Sequence, residues 1–322
     1  LAFLLMVFVA GLRSRFVGTD TGQYVRSFQS ERVAKYNPIE NPSRTEIGYL
    51  FIEKAARTMS GEYWVLLILI AAIVVFFNLK VILKLSANYT TSIFIFLTLG
   101  VYLFFFNGAR QGIAASIFGI SIIYLLKGNL KKYVVWVLFA ALFHKTVLIA
   151  LPAYFLIRSK YSLKKIIISL VLTLLLISSW VYLIKLFPGF LSDHYLAYED
   201  RGATGGYLLT FFYFVMALFF IRIRKYISTK DKGLYDIYLN LTLFHTLIYV
   251  VIFISGEDIS MLRLAHYFSF GFVLIWPIIF RNLKLFKSIF TRFIFVAVHL
   301  LFLYIYLSKM SALVPYHFNP YI

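Results

Sequence analysis

The amino-acid sequence predicts an all-α polytopic membrane protein, and three observations carry that prediction. Apolar residues fill 61% of the 322 positions and aromatic residues 20%, more apolar surface than one soluble core of this length encloses. They fall in long uninterrupted runs rather than in the short alternating segments of a membrane β-barrel. Charged residues, only 14% of the chain, cluster between those runs. There is no cysteine, so disulfides and thiolate metal sites are excluded and the redox compartment is left open.

Taken in order, the first apolar run, 1–11, is too short to span a bilayer and reads as the end of a helix truncated at its start. It has neither the basic flank nor the small-residue cleavage site of a signal peptide. Residues 13–62 read as a long outer loop, periplasmic in a bacterial cell. Further apolar runs occupy 63–83, 92–106, 110–126, 133–157, 166–187, 207–221, 235–255, 262–280 and 289–307. The run 133–157 has lysines on both flanks and His144-Lys145 at its centre. One span cannot keep both ends on the same side, so two half-helices turning at Phe143-His144-Lys145 are expected. With that turn the chain is expected to hold about eleven membrane segments in a single transmembrane domain, 1–322, without repeats.

Charge sets the expected orientation. The net charge of +19 would mark a nucleic-acid binder in a soluble protein. Here more than half of the 32 Lys and Arg lie in five short segments between apolar runs. These hold Lys80 and Lys84; Lys127, Lys131 and Lys132; Arg158, Lys160, Lys164 and Lys165; Arg222, Arg224, Lys225, Lys230 and Lys232; and Arg281, Lys284, Lys287 and Arg292. The positive-inside rule puts all five in the cytoplasm, so the charge is read as an orientation signal and no nucleic-acid partner is expected.

Function in such a chain must come from polar groups that a bilayer penalises, and these gather on the outer side. Three arginines stand beside the expected starts of inward-running helices: Arg110 in Asn107-Gly-Ala-Arg-Gln111, Arg201 in Glu199-Asp-Arg-Gly-Ala-Thr-Gly-Gly206, and Arg263 in Ser260-Met-Leu-Arg263. A helix start offers unpaired N–H groups and partial positive charge, and a guanidinium adds a planar fork suited to phosphate oxygens. Arg110, Gln111, Arg201 and Arg263 therefore read as a pyrophosphate site. A lone arginine there also reads as a snorkelling side chain.

His144, at the expected turn, reads as a general base or a phosphate contact, or as a histidine that merely holds the turn. His266 is a weaker candidate beside Arg263; His194 and His317 read as loop residues, and His245 and His299 as packed within the bundle. The outer carboxylates singled out are Asp20 and Glu46, each followed by an aromatic suited to sugar stacking, Tyr24 and Tyr49. Asp20 after Gly18-Thr19 also fits a turn or helix cap. Glu31, Glu40, Glu53 and Glu62 alternate with basic residues and read as a solvated surface. There is no DxD pair and no His-rich ligand set, so no metal and no cofactor are expected.

These motifs carry a resemblance. Arg13, Gly18-Thr19-Asp20-Thr21 with Tyr24, Glu46-Ile47-Gly48-Tyr49, Phe106-Asn107-Gly-Ala-Arg110-Gln111-Gly-Ile-Ala114, Ala140-Ala-Leu-Phe143-His144-Lys-Thr146, Arg263 ahead of Tyr267, and Pro315-Tyr316 follow one another along the chain. In this it resembles the EpsG family of exopolysaccharide and O-antigen polymerases, often grouped as Wzy-type proteins. One departure is Lys145-Thr146, where the family usually has a Ser-Ala pair.

The resemblance implies a GT-C-like bundle with an outer-face active site in the bacterial inner membrane. It implies a growing glycan leaving undecaprenyl pyrophosphate for a terminal hydroxyl of a new lipid-linked repeat unit, with both lipid-linked oligosaccharides and membrane lipid as partners. A chain-length regulator protein is a further implied partner. Arg110, Arg201 and Arg263 would take the departing charge, and His144 or Asp20 the proton. An O-antigen ligase usually carries a larger late outer loop than 188–206, and a lipid-linked oligosaccharide flippase would place charges along its helices.

Overall fold

A computed structural model of the chain describes residues 1–30, 45–162, Lys164, Ile167, Ile168, Val171, Leu172, Leu175, 206–255, 259–309 and 311–320. Among the described residues the secondary structure is helical, apart from one bridge between Arg13 and Phe318. The principal α-helices are α1 (Ala2–Gly11), α2 (Thr21–Gln29), α3 (Ile47–Met59), α4 (Tyr63–Leu85), α5 (Tyr89–Thr98), α6 (Ala109–Leu126), α7 (Leu130–Ala141), α8 (Ala150–Arg158), α9 (Gly206–Ile223), α10 (Thr229–Ser255), α11 (Phe270–Asn282) and α12 (Ile289–Lys309). Six helical stretches among the described residues are long and apolar enough to cross a membrane: Tyr63–Leu85, Ala109–Leu126, Gly206–Tyr226, Thr229–Ser255, Met261–Asn282 and Ile289–Lys309. The run 166–187 falls almost wholly outside the described residues.

The core is a bundle in which α6 packs against α4 and α7, α1 against α4, and α10 against α9 and α11. Some polar groups inside it bond to backbone carbonyls of a neighbouring helix: Ser92 donates to the Val273 carbonyl at 2.8 Å, and Tyr238 to the Leu85 carbonyl at 3.0 Å. This is what a solvent without hydrogen-bonding capacity demands.

Two stretches depart from the expectations. The region read as an outer loop, 13–62, contains α2 and α3. α3 is amphipathic, turning Tyr49, Ile52, Glu53 and Ala56 inward and leaving Phe51 and Met59 exposed. Glu53 is thus corrected from solvated surface to core, at 3% exposure, because it shares a helical face with Tyr49 and Ile52. The run 92–106 is broken: α5 stops at Thr98, Gly100 takes φ +70°, and a single helical turn, Phe104–Asn107, follows. A left-handed residue cannot continue a helix, so hydrophobicity alone misjudged the segment.

The expected turn in 133–157 is present. α7 ends at Ala141, the chain reverses through Leu142-Phe143-His144, and a 3₁₀ helix (Lys145–Ile149) leads into α8. Arg158 at the far end lies against Gly128 before α7, so both feet of the hairpin stand together, beside the basic segment that contains Lys127 and Lys131.

Candidate active site

The site forms where the starts of α2, α3 and α6, the hairpin tip and the 3₁₀ helix Ile259–Phe268 converge. Each piece is anchored before it contributes a charge. Arg13 is fully buried, donates to the Ala10 carbonyl, approaches the Thr21 hydroxyl at 3.4 Å and lies 4.6 Å over the Phe106 ring. Thr21 donates to the Phe106 carbonyl at 3.1 Å. The Asn107 side chain accepts from the Thr19 N–H at 2.9 Å and donates to the Ser311 carbonyl at 2.6 Å. Residues 18–21 are thereby tied both to the turn before α6 and to the chain after α12.

That anchoring aims the Asp20 carboxylate. Asp20 stands at the N-cap of α2 but makes no capping bond. One oxygen accepts from the Thr19 hydroxyl at 3.0 Å and the other from Arg263 Nη1 at 3.0 Å. Glu46 behaves likewise at the N-cap of α3, capping nothing with its side chain. Its Oε2 accepts from Arg110 Nη1 at 2.7 Å, and its Oε1 lies 2.8 Å from His144 Nδ1.

Close backbone contact makes this bridge possible. The Gly48 N–H donates to the Leu142 carbonyl at 2.8 Å. A Cβ on Gly48 would lie 2.8 Å from that oxygen and 3.0 Å from the Phe143 ring, so only glycine lets α3 dock this tightly on the tip. Thr146 and Tyr267 share a 2.7 Å hydroxyl contact that ties the tip to the 3₁₀ helix carrying Arg263. Gln111 donates to the Arg263 carbonyl at 2.9 Å, which holds the start of α6 beside the same helix.

The arrangement is a half-buried cluster of matched charges. Side-chain exposure is 11% for Glu46, 12% for His144, 16% for Asp20, 23% for Arg110 and 34% for Arg263. Burial alone would push the Glu46 carboxyl up, but the His144 hydrogen bond and the Arg110 charge outweigh it and hold the group down at about 2. His144, at the turn and outside the spanning helices, is pushed below its ordinary 6.5; burial does most of this, with the Arg110 and Arg263 charges adding to it against the pull of Glu46. Glu46 is therefore ionised and His144 neutral near pH 7.

Asp20, Glu46, Arg110, Gln111, His144 and Arg263 are thus brought together. Tyr24 and Tyr49 pack on each other with ring centroids 6.0 Å apart; Tyr24 is half-buried, whereas Tyr49 is only 2% exposed and braces it from behind. Arg201 lies outside the described residues, as does His194. His266 stacks on Phe104 at 3.7 Å within the bundle, and His245 and His299 are buried there too. No group of three or more His, Asp or Glu positioned to hold a metal is assembled among the described residues.

A family model described as the EpsG family matches residues 1–321. The chain is a member of the EpsG family. EpsG proteins are a Wzy-type polymerase family, which places this chain among membrane-embedded polysaccharide polymerases. No curated protein and no solved structure matches it.

Within this EpsG chain, sequence reasoning left out three supports of the site. Asn107 carries no catalytic signature, although an Asn directly before the glycine that caps α6 is placed for a polar tie. Arg13 was an anchor of the resemblance, and its complete burial was not legible from a polar neighbourhood of Ser14 and Arg15. The Glu46 bridge needed the docking of α3 on the hairpin, which no local pattern encodes.

Proposed function

We propose that this EpsG-family chain polymerises lipid-linked sugar repeat units, with undecaprenyl pyrophosphate as the leaving group, on the periplasmic face of a bacterial inner membrane. The observation that carries the reading is the joining of two guanidiniums, two carboxylates and a histidine at one end of an apolar bundle. Lys127 follows the end of α6 opposite Arg110, and Arg281 lies near the end of the Met261–Asn282 stretch opposite Arg263; positive charge stays in the cytoplasm, which supports an outward-facing site. A GT-C-like architecture and a chain-length regulator as partner belong to the same reading.

The chemistry follows from the charges. A terminal sugar hydroxyl of the acceptor repeat unit attacks the anomeric carbon of the donor glycan and loses its proton to a base. The anomeric C–O bond to the diphosphate breaks, and its electron pair leaves with undecaprenyl pyrophosphate. Arg110 and Arg263 stabilise the charge that develops on the departing oxygens. Each holds a carboxylate, which keeps the forks oriented and the cluster close to neutral. His144 and Asp20 are the two groups placed to take the proton.

Complementation of a polymerase-null strain tests the reading. Arg110→Ala, Arg263→Ala and His144→Ala are expected to insert normally yet yield only single repeat units. Long glycan ladders from all three variants would refute the site.

A further inference from the structure

The structure assigns Glu46 a role beyond sugar contact: we propose that it is the positioning residue that fixes His144 as the base and registers it against Arg110. The assignment rests on the polymerase reading for its chemistry, but its geometry stands alone.

Glu46 offers two oxygens and meets two donors, Arg110 Nη1 at 2.7 Å and His144 Nδ1 at 2.8 Å. An ionised carboxylate only accepts hydrogen bonds, and a guanidinium only donates. The proton between Glu46 and His144 therefore sits on Nδ1. In a neutral imidazole that leaves the lone pair on Nε2, at the opposite edge of the ring. A base oriented through its other nitrogen by a third group is the arrangement by which an imidazole accepts a proton in acyl transfer, and the same logic applies to a sugar hydroxyl. Here the same carboxylate also holds the cation assigned to the diphosphate, so base and leaving-group clamp share one fixed reference. Asp20 lacks this preparation: its oxygens are committed to Arg263 and to the Thr19 hydroxyl.

In the reaction, the acceptor hydroxyl proton passes to Nε2 as the new glycosidic C–O bond forms and the bond to the diphosphate breaks. The imidazolium so formed is balanced by Glu46 and then returns its proton to water.

Glu46→Gln separates this role from a packing role. Arg110 has only donors, so the glutamine carbonyl must face it and the amide NH₂ must face His144. His144 then accepts at Nδ1 and carries its proton on Nε2, where it cannot serve as a base. The shape of the site is nearly unchanged.

The experiment uses the purified full chain and the lipid-linked repeat units that accumulate in a source strain lacking it. Loss of general-base help is expected to lower kcat by about 100- to 10,000-fold, with KM held within a few-fold. In parallel, ring-¹⁵N-labelled histidine is followed by NMR, with His144→Gln identifying the resonances. The wild-type protein is expected to show Nδ1–H at His144, and Glu46→Gln to move the proton to Nε2. Wild-type kcat in Glu46→Gln, or a tautomer unchanged between the two proteins, overturns the assignment. If the wild-type chain forms no polymer, the polymerase reading fails, while the tautomer measurement, which needs no substrate, still decides what Glu46 does.

Discussion

Arg110→Lys keeps the positive charge at the start of α6 and removes the planar fork. In the native site Arg110 holds Glu46 through Nη1 at 2.7 Å with 23% of its side chain exposed, and its guanidinium has further nitrogens in the same plane to address phosphate oxygens. An ammonium is a single point and cannot cover both partners from one position. The loss amounts to at least one charge-assisted hydrogen bond, worth about 1.5–3 kcal/mol. If that bond is made fully in the transition state, the rate falls roughly 10- to 150-fold. Arg110→Ala, which also removes the charge, falls further, by about 100- to 1,000-fold, as expected for a lost donor to a developing oxyanion. Initial rates of ladder formation in membranes matched for protein level supply the comparison. Equal rates for Arg110→Lys and wild type would reduce Arg110 to a generic positive charge and remove the argument from the fork.

Gly48→Ala pushes a methyl group into the Leu142 carbonyl and the Phe143 ring, so the tip that carries His144 must shift. A loss of about 1–3 kcal/mol in stability and markedly shorter glycans are expected, and unchanged melting with full-length ladders would contradict the docking. Asn107→Ala leaves the Thr19 N–H and the Ser311 carbonyl without their partner, at a cost of about 1–3 kcal/mol. Hydrogen exchange should quicken at Thr19 and its neighbours, and native protection there would show that the tie carries no load. Burial pushes the Glu53 carboxyl up from 4.5 to about 7, against the pull of Arg57 and Arg110. The folded chain thus holds a proton that the unfolded chain releases, so this contribution is complete below pH 4.5 and lost as pH rises through 7, up to about 3 kcal/mol by pH 8. Glu53→Gln should narrow the difference in melting temperature between pH 5 and pH 8, and an unaltered difference would show that Glu53 is not the group responsible.

The membrane class was legible because burial in lipid writes itself as uninterrupted apolar runs, and the hairpin at Phe143-His144 because lysines on both flanks forbid a simple span. The convergence of Asp20, Arg110, His144 and Arg263 was also within reach, since polar groups beside expected helix starts on one side of a membrane have few other places to go. The helices α2 and α3 were not: their polar content hides a helical stripe that includes Glu53. Gly100 ends α5 through backbone conformation, which hydropathy does not register. The Glu46 bridge was hidden for a third reason. It depends on Gly48 meeting Leu142, about a hundred positions away in the chain, and a carboxylate beside a tyrosine reads equally well as a sugar contact.

The most direct measurement is reconstitution of the purified chain in liposomes with lipid-linked repeat units, following polymer and lipid products together. The account predicts a glycan ladder and one undecaprenyl pyrophosphate released for each linkage formed. Repeat units left unjoined, or a ladder formed without matching release of the diphosphate, would contradict it.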